Sequence, residues 1–306
     1  MTRADTTDWI AVDWGTSALR ASRLRGVEIL DEAQSDAGMG GLAPSEFEPA
    51  LLALVEGWLS PDGTDILACG MVGARQGWVE APYRAVPCAP VDGTGLAAAP
   101  VRDPRLRVRI VPGLMQARPA DVMRGEETQI AGYLAQEPGF DGVLCLPGTH
   151  SKWVRISAGE VVSFQTFMTG EVFALLQGRS VLRHGMAEGA GLDDAAFDAA
   201  LSDMLSHPAL LAARLFGIRA EGLLQELSPS AARSRLSGLL IGAELAAARP
   251  YWLGQQVVVI GADTLAAAYV RALASQGVQA VAAPGDALVL AGLMRLRARI
   301  NGGLKP

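Results

Sequence analysis

The sequence predicts an α/β protein with mixed sheets, built as two lobes that repeat one β-meander. Three observations carry that class. Apolar strand-forming residues cluster over Trp9–Val12, Leu19–Leu24 and Val27–Ala33, with turns at Asp13–Ser17 and Gly26, so the chain opens as three consecutive strands. A shift of 133 residues lays Gly15, Thr16 and Gly26 on Gly148, Thr149 and Gly159, each set framed by apolar strand residues such as Val12 and Cys145. The C-terminal stretch then alternates strand and helix over Val257–Ile260, Thr264–Ser275, Val278–Ala282 and Ala287–Arg299.

The elements between follow from local pattern. Leu51, Leu52, Leu54, Val55 and Trp58 fall at helical spacing, and a strand at Ile66–Cys69 opens into the glycine-bearing loop Gly70–Gly77. Pro87–Pro104 is rich in Pro, Gly and Ala and reads as a loop before a strand at Val108–Val111. A helix over Glu126–Ala135 and a strand over Gly142–Leu146 lead to the second turn, and further helices are expected over Gly170–Leu182, Asp194–Leu205 and Ala231–Ala248. The N-terminal lobe is expected to be residues 1–118 and the C-terminal lobe residues 119–306.

Composition narrows the function classes. With 306 residues, half of them hydrophobic and 19% charged, the chain is about twice an ordinary ~150-residue domain and can bury a substantial core. A net charge of −6 offers no global basic field to nucleic acid or to an anionic membrane, so an anionic small substrate requires a local basic pocket. The apolar run Ala287–Met294 is far shorter than the ~18 residues a membrane span needs. Charges at Arg3, Asp5 and Asp8 argue against a secretory signal, and Cys69, Cys88 and Cys145, without a C-x-x-C, fit reduced thiols in a cytoplasm.

The chemistry-bearing residues sit at turns. Asp13-Trp14-Gly15-Thr16-Ser17 puts a carboxylate at a strand end and two hydroxyls in the next turn, a pattern suited to cradling phosphate while the carboxylate holds Mg²⁺, directly or through water; a plain hairpin turn uses the same residue types. The second copy, Pro147-Gly148-Thr149-His150, makes a pair of phosphate turns the stronger reading and carries Leu146 where the first has Asp13. His150 and Lys152 are candidates for phosphate contact or for the surface. Between the turns, Arg124-Gly125-Glu126-Glu127 offers a carboxylate to accept the proton of an attacking hydroxyl, although acidic residues also favour a first helical turn for its dipole. Gly261-Ala262-Asp263-Thr264 and Pro284-Gly285-Asp286 lie between strand and helix, where glycine permits close approach to a nucleoside and Asp or Thr can equally cap the helix. Neither G-x-x-x-x-G-K-[ST] nor G-x-G-x-x-G occurs, and His150, His184 and His207 lack zinc-ligand spacing.

Taken together, these turns resemble the actin-like ATPase superfamily, with its ribonuclease H-like lobes. Within it, the chain is similar to the 2-dehydro-3-deoxygalactonokinase family: Asp13–Ser17 with Arg20, Gly70-Met71-Val72-Gly73, Gly77-Trp78, Ala81-Pro82-Tyr83, Met123–Gln129, Pro147–His150 with Lys152-Trp153, Met168-Thr169-Gly170-Glu171 and Ser237–Glu244. The resemblance runs from about Trp9 to about Arg295 and is weakest over 92–105 and 185–219. It implies a cytoplasmic kinase that moves the γ-phosphoryl of MgATP to 2-dehydro-3-deoxy-D-galactonate, with a homodimer as an open option. Another sugar or sugar acid, or an ATP-driven switch without catalysis, are the alternatives. In related kinases the base is an Asp after Gly; here Gly125-Glu126 takes that place, so Glu126 is the first choice and Glu127 the second. The residues then expected at nucleotide and phosphates are Gly15, Thr16, Ser17, Arg20, Gly148, Thr149, Gly261, Ala262 and Asp263, with Asp13 at Mg²⁺. Those expected at the sugar acid are Arg124, Gly70, Met71, Val72, Gly73, Arg75, Trp78 and Tyr83.

Overall fold

Strand-forming residues with both faces apolar open the computed structural model, which describes residues 8–186, 189 and 191–302. Strand β1 (Asp8–Trp14) sends Ile10, Val12 and Trp14 to one side of a sheet and Trp9 and Ala11 to the other, so this sheet is covered on both faces. Next come β2 (Leu19–Arg25), β3 (Glu28–Ser35), α1 (Phe47–Val55), β4 (Thr64–Cys69), β5 (Tyr83–Ala85), β6 (Ala97–Ala98), β7 (Leu106–Ile110), β8 (Gly113–Ala117), β9 (Ala120–Met123) and α2 (Glu126–Gln136). The first sheet runs β3-β2-β1-β4-β7-β6, and β5-β8-β9 form a small sheet leading into α2. Neighbours β1, β2 and β3 are antiparallel, whereas β4 and β7 continue the sheet in parallel.

The chain then repeats the plan with β10 (Gly142–Leu146), β11 (Ser151–Ser157), β12 (Glu160–Phe167), α3 (Thr169–Arg179), α4 (Asp194–Ser206), α5 (Leu211–Leu224), α6 (Pro229–Ala247), α7 (Arg249–Trp252), β13 (Val257–Gly261), α8 (Asp263–Ala274), β14 (Val281–Pro284) and α9 (Gly285–Ile300). The second sheet runs β12-β11-β10-β13-β14, again a meander extended in parallel from its first strand. This duplicated mixed-sheet topology bears out the actin-like, ribonuclease H-like α/β fold. Two helix starts follow from their caps. Asp193 accepts from the Ala196 amide at 3.0 Å to begin α4, and Ser228 accepts from Ala231 at 3.2 Å ahead of Pro229 in α6.

The compact units differ from the 1–118 and 119–306 division expected from sequence. Unit 1 is 1–140, 157–163 and 285–306; unit 2 is 141–156 and 164–284. The reason is packing. Trp9, Ala11 and Leu67 are covered by Ala131 of α2 and by Val289, Leu293 and Leu296 of α9, so the last helix completes the core of the first sheet. Segment 157–163 joins because Val161 and Cys88 exchange backbone hydrogen bonds. In unit 2, Phe197 and Leu201 of α4, Ile241 and Leu245 of α6 and Tyr269 of α8 bury Val143, Cys145 and Val259 of the sheet.

Candidate active site

Within unit 1, two parallel strands bring the expected residues to one edge. Register between β1 and β4 sets Asp13 beside Cys69, so both strands end at the same level and their loops leave together, the edge where ligands bind open α/β sheets. The loop from β4 turns at Gly70 with φ +93°; a Cβ there would lie 2.7 Å from the Trp14 carbonyl oxygen and 3.6 Å from Asp13 Oδ1, so only glycine lets this loop lie against the end of β1. Gly125, with φ +108°, brings the entry to α2 equally close, its Cβ position 3.5 Å from Gly70 Cα. Asp13, Gly70 and Gly125-Glu126 are thereby drawn together from three distant parts of the sequence.

Asp13 is partly exposed, and Arg20, its partner across the hairpin, approaches it at 3.5 Å. Both line one end of a groove of about 760 Å³ between β1–β3 and α9. Thr16 and Ser17 are exposed at the tip of the turn. The carbonyls of Gly15 and Thr16 are held at 2.9 Å by the amides of Met39 and Gly40, a glycine-rich support under the turn that sequence reasoning missed although Gly38-Met39-Gly40-Gly41 was visible. Among the described residues no group of three or more His, Cys, Asp and Glu could hold a metal. A single accessible carboxylate beside a turn with two exposed hydroxyl residues has the chemistry to suit Mg²⁺, which keeps much of its water when bound.

At the start of α2 the two glutamates part. Glu126, half-buried, accepts the Arg124 amide at 3.0 Å; Glu127, fully buried, accepts the Gly125 amide at 2.7 Å and lies beside the Thr128 hydroxyl. Burial foremost, and then the neighbouring charge of Glu126, push the Glu127 carboxyl up to about 8. Cys69, also buried, has its thiol pushed up by the same desolvation and by the Asp13 and Glu127 carboxylates.

Arg124 is 8% exposed. Its Nη2 donates to the Ala81 carbonyl at 2.7 Å, its guanidinium lies 4.3 Å from the centroid of the Tyr83 ring, and its Nε and Nη1 are buried without a hydrogen-bond partner among the described residues. Two unsatisfied donors on a buried cation cost free energy until an acceptor arrives. Other residues expected at the sugar acid lie in the core or at the surface. Trp78 is buried against Phe47 and Trp14, with centroids 6.2 and 6.0 Å away, and belongs to the core; Val72 is fully buried in the same cluster. Arg75 is highly exposed and reaches Glu80 at 3.4 Å, a surface pair. Met71 packs on that core, and Gly73 is buried beneath Arg124, a Cβ there lying 3.0 Å from Nη1.

In unit 2, Gly148 and Thr149 occupy the turn between β10 and β11, and Thr149 is exposed. The parallel pairing of β13 with β10 sets Gly261 beside this turn, its Cβ position 3.6 Å from the Pro147 carbonyl oxygen. Ala262 is exposed and is itself the N-cap residue of α8, in place of the capping expected from Asp263 or Thr264. The side chains of Asp263 and Asp286 lie outside the described residues. His150 Nε2 meets Glu171 at 2.5 Å, and Lys152 is buried.

The model of the 2-keto-3-deoxy-galactonokinase family matches residues 13–296, which takes in both turns and the entry to α2. The chain belongs to the 2-keto-3-deoxy-galactonokinase family. A Rhizobium meliloti (strain 1021) protein named as a probable 2-dehydro-3-deoxygalactonokinase is 40% identical, the match covering 93% of this chain and 95% of that one. The 2-dehydro-3-deoxygalactonokinase of Escherichia coli (strain K12) is 36% identical, with 94% and 97% covered. A crystal structure of a Sinorhizobium meliloti protein named for the same kinase superposes with a TM-score of 0.88 at 39% identity, covering 97% of this chain and all of that one. As a member of this galactonokinase family the chain is a kinase acting on a small molecule, with ATP as its co-substrate. Among its described residues no helix is long and apolar enough to cross a membrane.

Proposed function

We propose that this family member phosphorylates the terminal hydroxyl of 2-dehydro-3-deoxy-D-galactonate with ATP, in the cytoplasm, giving the 6-phosphate and ADP. The observation that carries the reading is the convergence of Asp13, Gly70 and Glu126 at one sheet edge, next to the exposed hydroxyls of Thr16 and Ser17. Glu126 accepts the proton of the sugar hydroxyl as its oxygen bonds to the γ-phosphorus, and the bridging oxygen leaves with ADP. Thr16, Ser17, Gly148 and Thr149 hold phosphates, and Gly261 and Ala262 border the nucleoside. Asp13 would hold Mg²⁺ arriving with the nucleotide, and the ion would supply neutralisation of phosphate charge.

The acid is recognised by Arg124. Its unpartnered Nε and Nη1, on different sides of the guanidinium, are each a donor open to a carboxylate once the Tyr83 ring moves aside. The test is ADP formation, measured by a coupled assay against a panel of sugar acids and their neutral counterparts. Turnover of 2-dehydro-3-deoxygalactonate well above every neutral sugar supports the reading. Equal turnover of a neutral sugar, or ATP hydrolysis indifferent to any sugar acid, overturns it.

A further inference from the structure

The second turn is braced by a buried carboxylate. Glu244 of α6 is 3% exposed, and its hydrogen-bond partners are neutral: Trp153 Nε1 donates to it at 2.8 Å, the Tyr269 hydroxyl donates at 2.8 Å, and the Thr169 hydroxyl donates to the same oxygen as Tyr269. The Ser151 hydroxyl extends the network, 3.0 Å from the Tyr269 oxygen. Desolvation raises the Glu244 carboxyl, and these donors work against that rise. Burying a carboxylate is costly, and apolar residues of like shape serve stability as well or better, so stability alone does not account for this arrangement. Its value lies in what the four partners position.

Two of them, Ser151 and Trp153, begin the strand that leaves the turn. Thr169 begins α3, whose next residues clasp the turn from the other side. A Cβ on Gly170 would lie 2.2 Å from the Gly148 carbonyl oxygen, so the two backbones touch. The Glu171 amide donates to the Thr149 carbonyl at 2.9 Å, and the Glu171 carboxylate meets His150. Glu244 thus ties together both sides of the Pro147–His150 turn without reaching it.

We infer that Glu244 is a positioning residue for the nucleotide, fixing the Gly148-Thr149 turn through Thr169 and Trp153. The inference rests on the proposed role of that turn in holding phosphate. Its test is steady-state kinetics of the full chain, with ATP and sugar acid varied separately, for Thr149→Val, Thr169→Val, Glu244→Leu and Glu244→Gln. Thr149→Val, Thr169→Val and Glu244→Leu should each raise KM for ATP by about 10-fold and leave KM for the sugar acid unchanged, the scale of one hydrogen bond. Glu244→Gln, which can accept from Trp153 and donate to the two hydroxyls, should stay within about 3-fold of the parent. Should Glu244→Leu fail to fold, Thr169→Val carries the test with the loss of one hydroxyl. A normal KM for ATP in Thr169→Val and Glu244→Leu, or a rise in both KM values together, overturns the role of Glu244. A normal KM for ATP in Thr149→Val overturns the phosphate-turn reading itself, a result distinct from the other two.

Discussion

Glu126 and Glu127 are neighbours in sequence, yet the first turn of α2 sends one to an open edge and the other into the core. For Glu126→Gln we expect turnover to fall by about 100-fold with both KM values nearly unchanged, because shape and hydrogen bonding remain while basicity is lost. The same phenotype in Glu127→Gln, with Glu126→Gln active, would exchange their roles. Glu127 has a second consequence. Its folded value of about 8 stands above the unfolded 4.5, so the folded state favours the neutral form, and stability falls as pH rises from the lower value to the upper. Glu127→Gln should remove that slope and be more stable than the parent at pH 8, by an amount on the order of 2–4 kcal/mol. Urea melts at pH 5 and pH 8 measure it; parallel losses in both proteins would place the titration elsewhere. The turn that carries Asp13, Gly15 and Thr16 and the helix start at Glu126 were legible because turn chemistry is local. The burial of Glu127, Trp78 and Val72 was not, since it depends on packing between segments far apart in the chain, and an Ala-Pro-Tyr beside a Trp looks the same whether the indole lines a pocket or fills a core.

The helices α2 and α9 meet at their glycines. A Cβ on Gly132 would lie 1.9 Å from the Leu288 carbonyl oxygen, and one on Gly292 would lie 2.0 Å from that of Thr128, so the helix carrying both glutamates is seated backbone to backbone. Gly292→Ala gains about 1 kcal/mol of helix propensity. Against that stands overpacking of ~1–3 kcal/mol at an atom that no rotamer change can move, so a net loss is expected. Gly217→Ala in α5, where the nearest atom would be a Glu221 oxygen at 3.9 Å, should be neutral or stabilising. Thermal melts of the two variants compare them directly, and a stabilised Gly292→Ala would show the crossing to be loose. Most strands and helices could be read from periodicity. The helix α5 could not, because Phe216, Leu223 and Leu224 are exposed and blur its apolar face. The β8–β9 hairpin is short and joined by Arg118-Pro119, and β14 begins at Val281 instead of Val278 because Gly277 and the residues after it form the turn out of α8.

At the scale of the whole molecule, the two halves are interleaved: the second is inserted into the first, and α9 returns to finish unit 1. One fastening of that return is Asp65 of β4, which receives Arg297 Nη1 at 2.8 Å and Arg107 Nε at 2.8 Å, with Arg297 almost buried over the Trp9 ring. Burial pushes the Asp65 carboxyl up, but the two guanidinium groups outweigh it and hold the net value below the ordinary one. A depressed carboxyl contributes stability in full above its unfolded pKa of ~3.9 and loses it as pH falls through the folded value. Asp65→Asn should therefore cost about 2 kcal/mol near pH 7, a figure reduced for partial exposure, and lose less than the parent below about pH 4. Equal acid sensitivity of the two proteins in urea melts would show that this fastening contributes nothing. The repeat of two meanders was readable from Gly15-Thr16 and Gly148-Thr149. The return of α9 was not, because nothing in its apolar stripe says which sheet it covers.

That return also sets an order of events at the ribosome. Every residue of unit 2 is synthesised before α9, while the first strand of unit 1 is synthesised before any of unit 2. A chain that ends within α9 already holds every residue of the inserted half's core, whereas the half with Asp13 and Glu126 keeps the Trp9 face of its sheet bare until Val289, Leu293 and Leu296 arrive. A ribosome stalled inside α9 would release a chain with a finished second half and an unfinished first, exposing apolar surface of the kind chaperones bind.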